Sequence, residues 1–235
     1  PMASRAVGMY LSSLRCATQE LVWQSVLRAV ESDPVSVTQI SEPGAPRHGG
    51  SLTLDDAISL PDYVSTMDVH LMPGNYQGGH SDGAEAGIIY DNGLDVFSFG
   101  MMGENLDDIG HSMANFTRLK WPDLEPSLIV DVGCTIGHNT LPWKRAFPNA
   151  EVHGLDAAAP CLQYGHARAE ALGVEIHFRQ ALCDALPYDD NSVDVVFSSM
   201  FLHELPTALI SAFFDEAYRV LKPGGVLINM ELPPN

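Results

Sequence analysis

The residues best equipped for chemistry fall in short stretches after apolar runs. Asp131-Val132-Gly133-Cys134-Thr135-Ile136-Gly137-His138-Asn139 lies between an apolar run and a helical pattern. Glycine after a buried strand lets the backbone turn tightly and approach a ligand, and the following helix N-terminus offers free N–H donors. Carboxylates recur at Asp156 and Asp184, and Ser198-Ser199-Met200-Phe201-Leu202-His203-Glu204-Leu205-Pro206 brings an imidazole beside a carboxylate. An imidazole titrating near neutrality suits a general base. It serves equally well to hydrogen-bond its own loop, and each aspartate has a turn or helix-cap reading beside the ligand one. A dinucleotide loop would carry glycine at 133, 135 and 138, where this chain has Gly, Thr and His, and no GxxxxGK[ST] run occurs. Nine histidines form no HxH or HExxH pair, so no metal site is expected. Cys16, Cys134, Cys161 and Cys183 are far apart without a CxxC pair and read as free thiols of a reducing compartment.

A scaffold must bring these groups together. From Ser127 onward, apolar strands at 127–131, 151–155, 174–178, 193–198 and 225–231 alternate with helices near 137–147, 158–172 and 206–221, which predicts an α/β fold with an open parallel sheet. Loops at the strand ends of such a sheet share one rim, and ligands bind where the strand order reverses. Asp131, Asp156, Asp184 and Ser198 are therefore expected around one cleft. Leu128-Ile129-Val130 and Val195-Val196-Phe197 lack alternation, as do strands covered on both faces, and are assigned to the centre. Val174-Glu175-Ile176-His177-Phe178 alternates and is assigned to the edge, while the apolar last strand needs cover from elsewhere.

Upstream, residues 4–31 space Leu11, Leu14, Leu21, Val22, Val26 and Val30 as one amphipathic helix. A Pro/Gly/Ser-rich linker covers 35–50, short helices are expected within 52–71, a glycine-rich loop within 73–87, and helix again from about 92 to 119.

The glycine loop resembles motif I of the class I S-adenosylmethionine-dependent methyltransferases, an acid followed by G-x-G-x-G, matched at Asp131, Gly133 and Gly137 with Thr135 in place of the middle glycine. Further segments resemble the same family in order. Glu151-Val152-His153-Gly154-Leu155-Asp156 is similar to its second strand and ribose-binding acid, Cys183-Asp184-Ala185-Leu186-Pro187-Tyr188 to its adenine-side segment, and Arg219-Val220-Leu221-Lys222-Pro223-Gly224-Gly225 to the turn entering its fifth strand. The resemblance covers roughly 120–235. It implies a Rossmann-like sheet of order 3-2-1-4-5 lacking the usual sixth and seventh strands. It also implies S-adenosyl-L-methionine as cofactor, with contacts at Asp131, Gly133, Cys134, Thr135, Gly137, Asp156, Ala157, Asp184, Ala185 and Ser198. His203 falls on the acceptor side as candidate catalytic residue.

Residues 1–120 are then expected to be a mainly helical lid, substrate or dimerisation region, and 121–235 the cofactor-binding domain. Tyr76, His80 and Tyr90, with His203, are the candidate substrate contacts, and His70 and Asn92 lie beside them. The implied activity is methyl transfer to a small-molecule acceptor, the alternative a non-catalytic cofactor-binding or assembly subunit. The nicotinamide oxidoreductase reading is weakened by residues 135 and 138.

Composition narrows the classes. With 235 residues, 46% hydrophobic, the chain can bury one core plus an appended region. A formal charge of −18 repels phosphate backbones and anionic membranes, so nucleic-acid and membrane partners are not expected, whereas a homodimer is compatible. No apolar run is long enough to span a bilayer and no secretory layout opens the chain, so a cytoplasmic location is expected. Pro1-Met2 at the start and a stop just after a strand pattern read as a chain trimmed at its ends.

Overall fold

The computed structural model describes residues 2–32, 48–66, 70–77 and 84–232. Its centre is a six-stranded sheet, every pair parallel. The strands are β1 (Ser51–Thr53), β2 (Leu128–Val132), β3 (Glu151–Asp156), β4 (His177–Gln180), β5 (Val193–Ser199) and β6 (Leu221–Met230), ordered β1-β4-β3-β2-β5-β6. The five strands read from the sequence thus stand in the order 3-2-1-4-5. The sixth, β1, corrects two expectations: the edge beyond β4 is taken, and a strand stands where short helices were expected. It exists because β4 offers an open ladder, Ser51 N–H donating to Ile176 O at 3.2 Å. Among the described residues β6 pairs with β5 alone, so β1 adds to the opposite edge from the one expected to need cover.

Helices cover both faces. On one, α5 (Leu141–Ala146) seats Trp143 on Phe197, ring centroids 4.3 Å apart, in a cluster with Ile129, Val195 and Met113 of α4 (Asp108–Lys120). On the other, Phe213, Ala217 and Val220 of α7 (Thr207–Val220) meet Val130, Val132 and Val196. Neighbouring strand residues point to opposite faces, so these uninterrupted apolar runs serve both layers at once. Each fully buried large side chain contributes roughly 1.5–3 kcal/mol.

A third cluster joins the N-terminal region to the sheet domain. α1 (Met2–Ser32) packs Trp23, Val26 and Val30 against Ile88 and Ile89 of α3 (Glu85–Phe97), with Cys161 and Tyr164 of α6 (Ala159–Ala171) beneath. Leu11, Leu14 and Leu21, expected on the apolar face, are exposed: Leu11 and Leu14 precede the part of α1 that packs against α3, and Leu21 lies about 200° around the helix from the buried Trp23. The helix expected over 92–119 is two helices. Between them Phe99, Gly100, Gly103 and Leu106 all have φ between 54° and 79°, a left-handed run no helix can pass through. Conversely α3 begins inside the stretch expected to be loop. Among the described residues, no helix is long and apolar enough to cross a membrane. A short helix α2 (Asp62–Ser65) and a 3-10 turn at Asn75–Gln77 complete the N-terminal wall.

Candidate active site

The turn after β2 is built by backbone donors. Gly133 and Cys134 N–H both donate to Leu155 O, at 2.8 and 3.0 Å, tying the turn to β3. Asp156, at the end of β3, accepts from Thr135 N–H through Oδ2 at 2.8 Å and from Ala158 N–H through Oδ1 at 2.9 Å. One carboxylate therefore fixes both loops. Thr135 stands at φ 51°, where glycine is the usual occupant, and lines the same cavity as Tyr90 of α3. Gly133, at φ 78°, carries the Phe201 ring against it: a Cβ there would lie 2.2 Å from Phe201 Cδ2.

Asp131 is 1% exposed. Its Oδ2 accepts from Thr140 Oγ1 at 2.6 Å, and its Oδ1, also buried, has no hydrogen-bond partner among the described residues. Burial pushes its pKa up to about 8, against the pull of the Thr140 hydroxyl and with a further push from Asp156. Burial likewise raises Asp156, opposed by its backbone donors and reinforced by the charge of Glu204. His138, which the motif comparison treated only as a missing glycine, is buried beside the cavity with its pKa lowered by desolvation to about 3, so it is neutral.

These groups line one cavity of about 390 Å³. Its floor is Asp131, Gly133, Cys134, Thr135, Asp156 and Ala157; its opposite wall brings Tyr76, Tyr90, His203 and Glu204 from elsewhere in the chain, with Trp23, Leu94 and Phe97 adding apolar surface. At the His203 end, Glu204 Oε1 meets His70 Nε2 at 2.6 Å, accepts from Tyr76 O–H at 3.0 Å and lies 3.6 Å from His203 Nε2. His203 Nδ1 is 2.8 Å from Glu231 Oε1. His70, His203 and Glu204 converge there, His70 arriving from a loop distant in the sequence.

Other expected site residues are placed differently. Asp184 and Ala185 are exposed and do not line the cavity, whereas their neighbours Leu182 and Cys183 do, together with Tyr63 of α2. Ser198 is buried and donates to Asn229 Oδ1 at 2.7 Å, and Ser199 and Met200 take the lining position. Gly137 serves packing, since a Cβ there would meet Phe178 Cζ at 2.6 Å, and Cys134 also belongs to the core cluster of the sheet. Asn92 bonds its own helix through Ile88 O, and His80 lies outside the described residues. Glu231 had no motif to announce it.

Comparison with known proteins adds family to geometry. Residues 129–225 match the family described as "Methyltransferase domain". The chain is 38% identical over 109 residues to a demethylmenaquinone methyltransferase of Thermus thermophilus, covering 46% of this chain and 49% of that one. It is 35% identical over 121 residues to a malonyl-(acyl-carrier protein) O-methyltransferase of Hahella chejuensis, covering 52% and 40%. The chain spans about half the length of the curated relatives it matches. In fold, it superposes on a crystal structure of a putative S-adenosyl-L-methionine-dependent methyltransferase from Methanococcus maripaludis with TM-score 0.52 and 17% identity, over 64% of this chain and 67% of that one. The parallel sheet, the acid–glycine turn after its central strand and the matched sequence agree: residues 129–225 resemble a methyltransferase domain in sequence and in fold.

Proposed function

We propose that this protein transfers a methyl group from S-adenosylmethionine to a small, largely apolar acceptor within the described cavity. The observation that carries the reading is Asp131 Oδ1, a buried carboxyl oxygen of a cavity-lining residue, without a partner among the described residues. Such an atom is costly unless a cation meets it, and the ammonium of the cofactor's methionine part is that cation. Asp156 keeps acceptor capacity for two ribose hydroxyls while its backbone bonds hold it in place. When bound, S-adenosylmethionine supplies an electrophilic methyl group on a sulfonium. The chain's own residues do the rest. Trp23, Tyr76, Tyr90, Leu94 and Phe97 exclude water and shape the acceptor's place, and such alignment accounts for roughly 7–11 kcal/mol in well-oriented reactions. His203 and Glu204, on the same wall, are placed to receive a proton from an acceptor hydroxyl or acidic carbon. An apolar quinone-like acceptor suits the aromatic wall and accords with the Thermus relative's name. His203 lining the cavity supports this reading over that of a non-catalytic cofactor-binding or assembly subunit, which would lack a complete acceptor site.

The test is calorimetric titration with S-adenosylmethionine and S-adenosylhomocysteine for the chain and for Asp156→Ala. Binding lost in the variant is expected, followed by an acceptor screen comparing His203→Ala. A folded chain that binds neither ligand refutes the proposal.

A further inference from the structure

The acceptor end of the cavity holds more donor atoms than a proton transfer needs. One nitrogen each from His70 and His203 and one oxygen of Glu204 lie within 4.8 Å of one another, all on residues lining the cavity. Proximity alone would be ordinary hydrogen bonding. Two surrounding contacts point further. Glu231 receives Leu202 N–H on Oε2 at 2.8 Å and faces His203 Nδ1 through Oε1 at 2.8 Å. With Nδ1 on Glu231, His203 Nε2 is the nitrogen turned toward Glu204, 3.6 Å from its Oε1. A carboxylate fixing the far nitrogen is how metal-binding imidazoles are oriented. The Tyr76 hydroxyl donates to Glu204 Oε1 itself and holds the carboxylate against the two imidazoles.

We infer that His70, His203 and Glu204 form a binding site for a divalent first-row transition-metal ion, with Glu231 and Tyr76 as the groups that orient its ligands. A tetrahedral ion with bonds of about 2.0–2.1 Å sets its donors roughly 3.3 Å apart. The distances from Glu204 Oε1, 2.6 Å to His70 Nε2 and 3.6 Å to His203 Nε2, bracket that value, and the two imidazoles bring a nitrogen each within 4.8 Å of one another, so side-chain adjustment admits the ion. Two imidazoles and one carboxylate suit zinc(II), iron(II) or cobalt(II) better than magnesium or calcium. Three protein ligands leave coordination positions open toward the cavity. There the ion takes an oxygen of the acceptor, and a bound hydroxyl sheds its proton to water more readily; with the ion bound, His203 and Glu204 hold it instead of receiving that proton. This role rests on the methyltransferase reading; the ion site itself does not.

The experiment uses the full chain, freed of any affinity tag, stripped with chelator and titrated with cobalt(II). One equivalent is expected to bind, with the visible bands of a four- or five-coordinate ion, and zinc(II) is expected to displace it. His70→Ala and Glu204→Gln should abolish the bands. Glu231→Gln should weaken binding about 10–100-fold, and His111→Ala, whose imidazole pairs with Asp107, should change nothing. Circular dichroism checks folding, and if His70→Ala does not fold, the wild-type spectrum and Glu231→Gln decide. Absence of the bands in wild type, or their survival in folded His70→Ala, overturns the site. S-adenosylhomocysteine titration in chelator separates the two claims: nucleoside binding without cobalt removes the ion site alone, and cobalt binding without the nucleoside removes the methyltransferase reading alone.

Discussion

Replacing Asp131 by asparagine tests the buried carboxylate on which the functional reading rests. The side chain keeps its shape and can still accept from Thr140, but it no longer ionises. In the free protein the Asp131 pKa rises from 3.8 to about 8, so the carboxyl is largely protonated at neutral pH. A folded-state pKa above the unfolded one contributes stability that is complete below about pH 4 and lost as pH climbs toward 8. Over that window the loss amounts to about 1.4 kcal/mol per pH unit and at most about 6 kcal/mol in all. Asp131→Asn has no such loss. Its stability relative to wild type should therefore improve by about 1.4 kcal/mol for each unit between pH 5 and 7, read by urea denaturation. A cofactor ammonium needs the ionised form, so S-adenosylhomocysteine binding near pH 7 should release about one proton and strengthen up to tenfold per pH unit toward 8. Calorimetry in two buffers of different ionisation enthalpy reads that proton directly. A stability gap that does not change with pH, or binding without proton release that Asp131→Asn leaves intact, would show that this carboxylate neither titrates as argued nor meets the cofactor.

Other expectations concern the glycines that let the walls approach. Gly133→Ala meets a left-handed φ, roughly 1–2 kcal/mol, and the Phe201 ring, roughly 1–3 kcal/mol of overpacking. Phe201→Ala in that background should restore the second part only, and a neutral Gly133→Ala would contradict the packing. A Cβ at Gly93 would fall 1.9 Å from Trp23 Cζ3. Gly93→Ala should accordingly undock α1, seen as faster hydrogen exchange along residues 2–32 with the sheet unaffected; unchanged protection would mean that α1 does not depend on this contact.

Much of the sheet is legible in the chain because its cause is local. Leu128-Ile129-Val130 and Val195-Val196-Phe197 are apolar at every step, and only a strand buried on both faces needs that, so β2 and β5 declare their central places. The acid–glycine turn after β2 is equally visible, since Gly133 and Gly137 mark positive φ. β1 is not. Three residues, Ser51–Thr53, carry no period of their own and become a strand because the edge of β4 has unpaired backbone groups to meet. The split between α3 and α4 escaped for a related reason: Phe99 and Leu106 are not residues that announce a left-handed backbone.

The division is sharper at the site. The acids at the strand ends and the His203-Glu204 pair could be read from spacing, because each sits within a few residues of the strand that positions it. That Asp184 faces solvent while Tyr63 and Cys183 line the wall, that Thr135 shares its cavity with Tyr90, and that His70 reaches Glu204 depend on contacts between segments far apart in the chain. Local sequence specifies which backbone conformations are cheap and which faces must be buried. It does not specify which distant side chain arrives at a given cavity wall, because that is decided by how α1, α3 and the 3-10 turn at Asn75–Gln77 pack on the sheet domain.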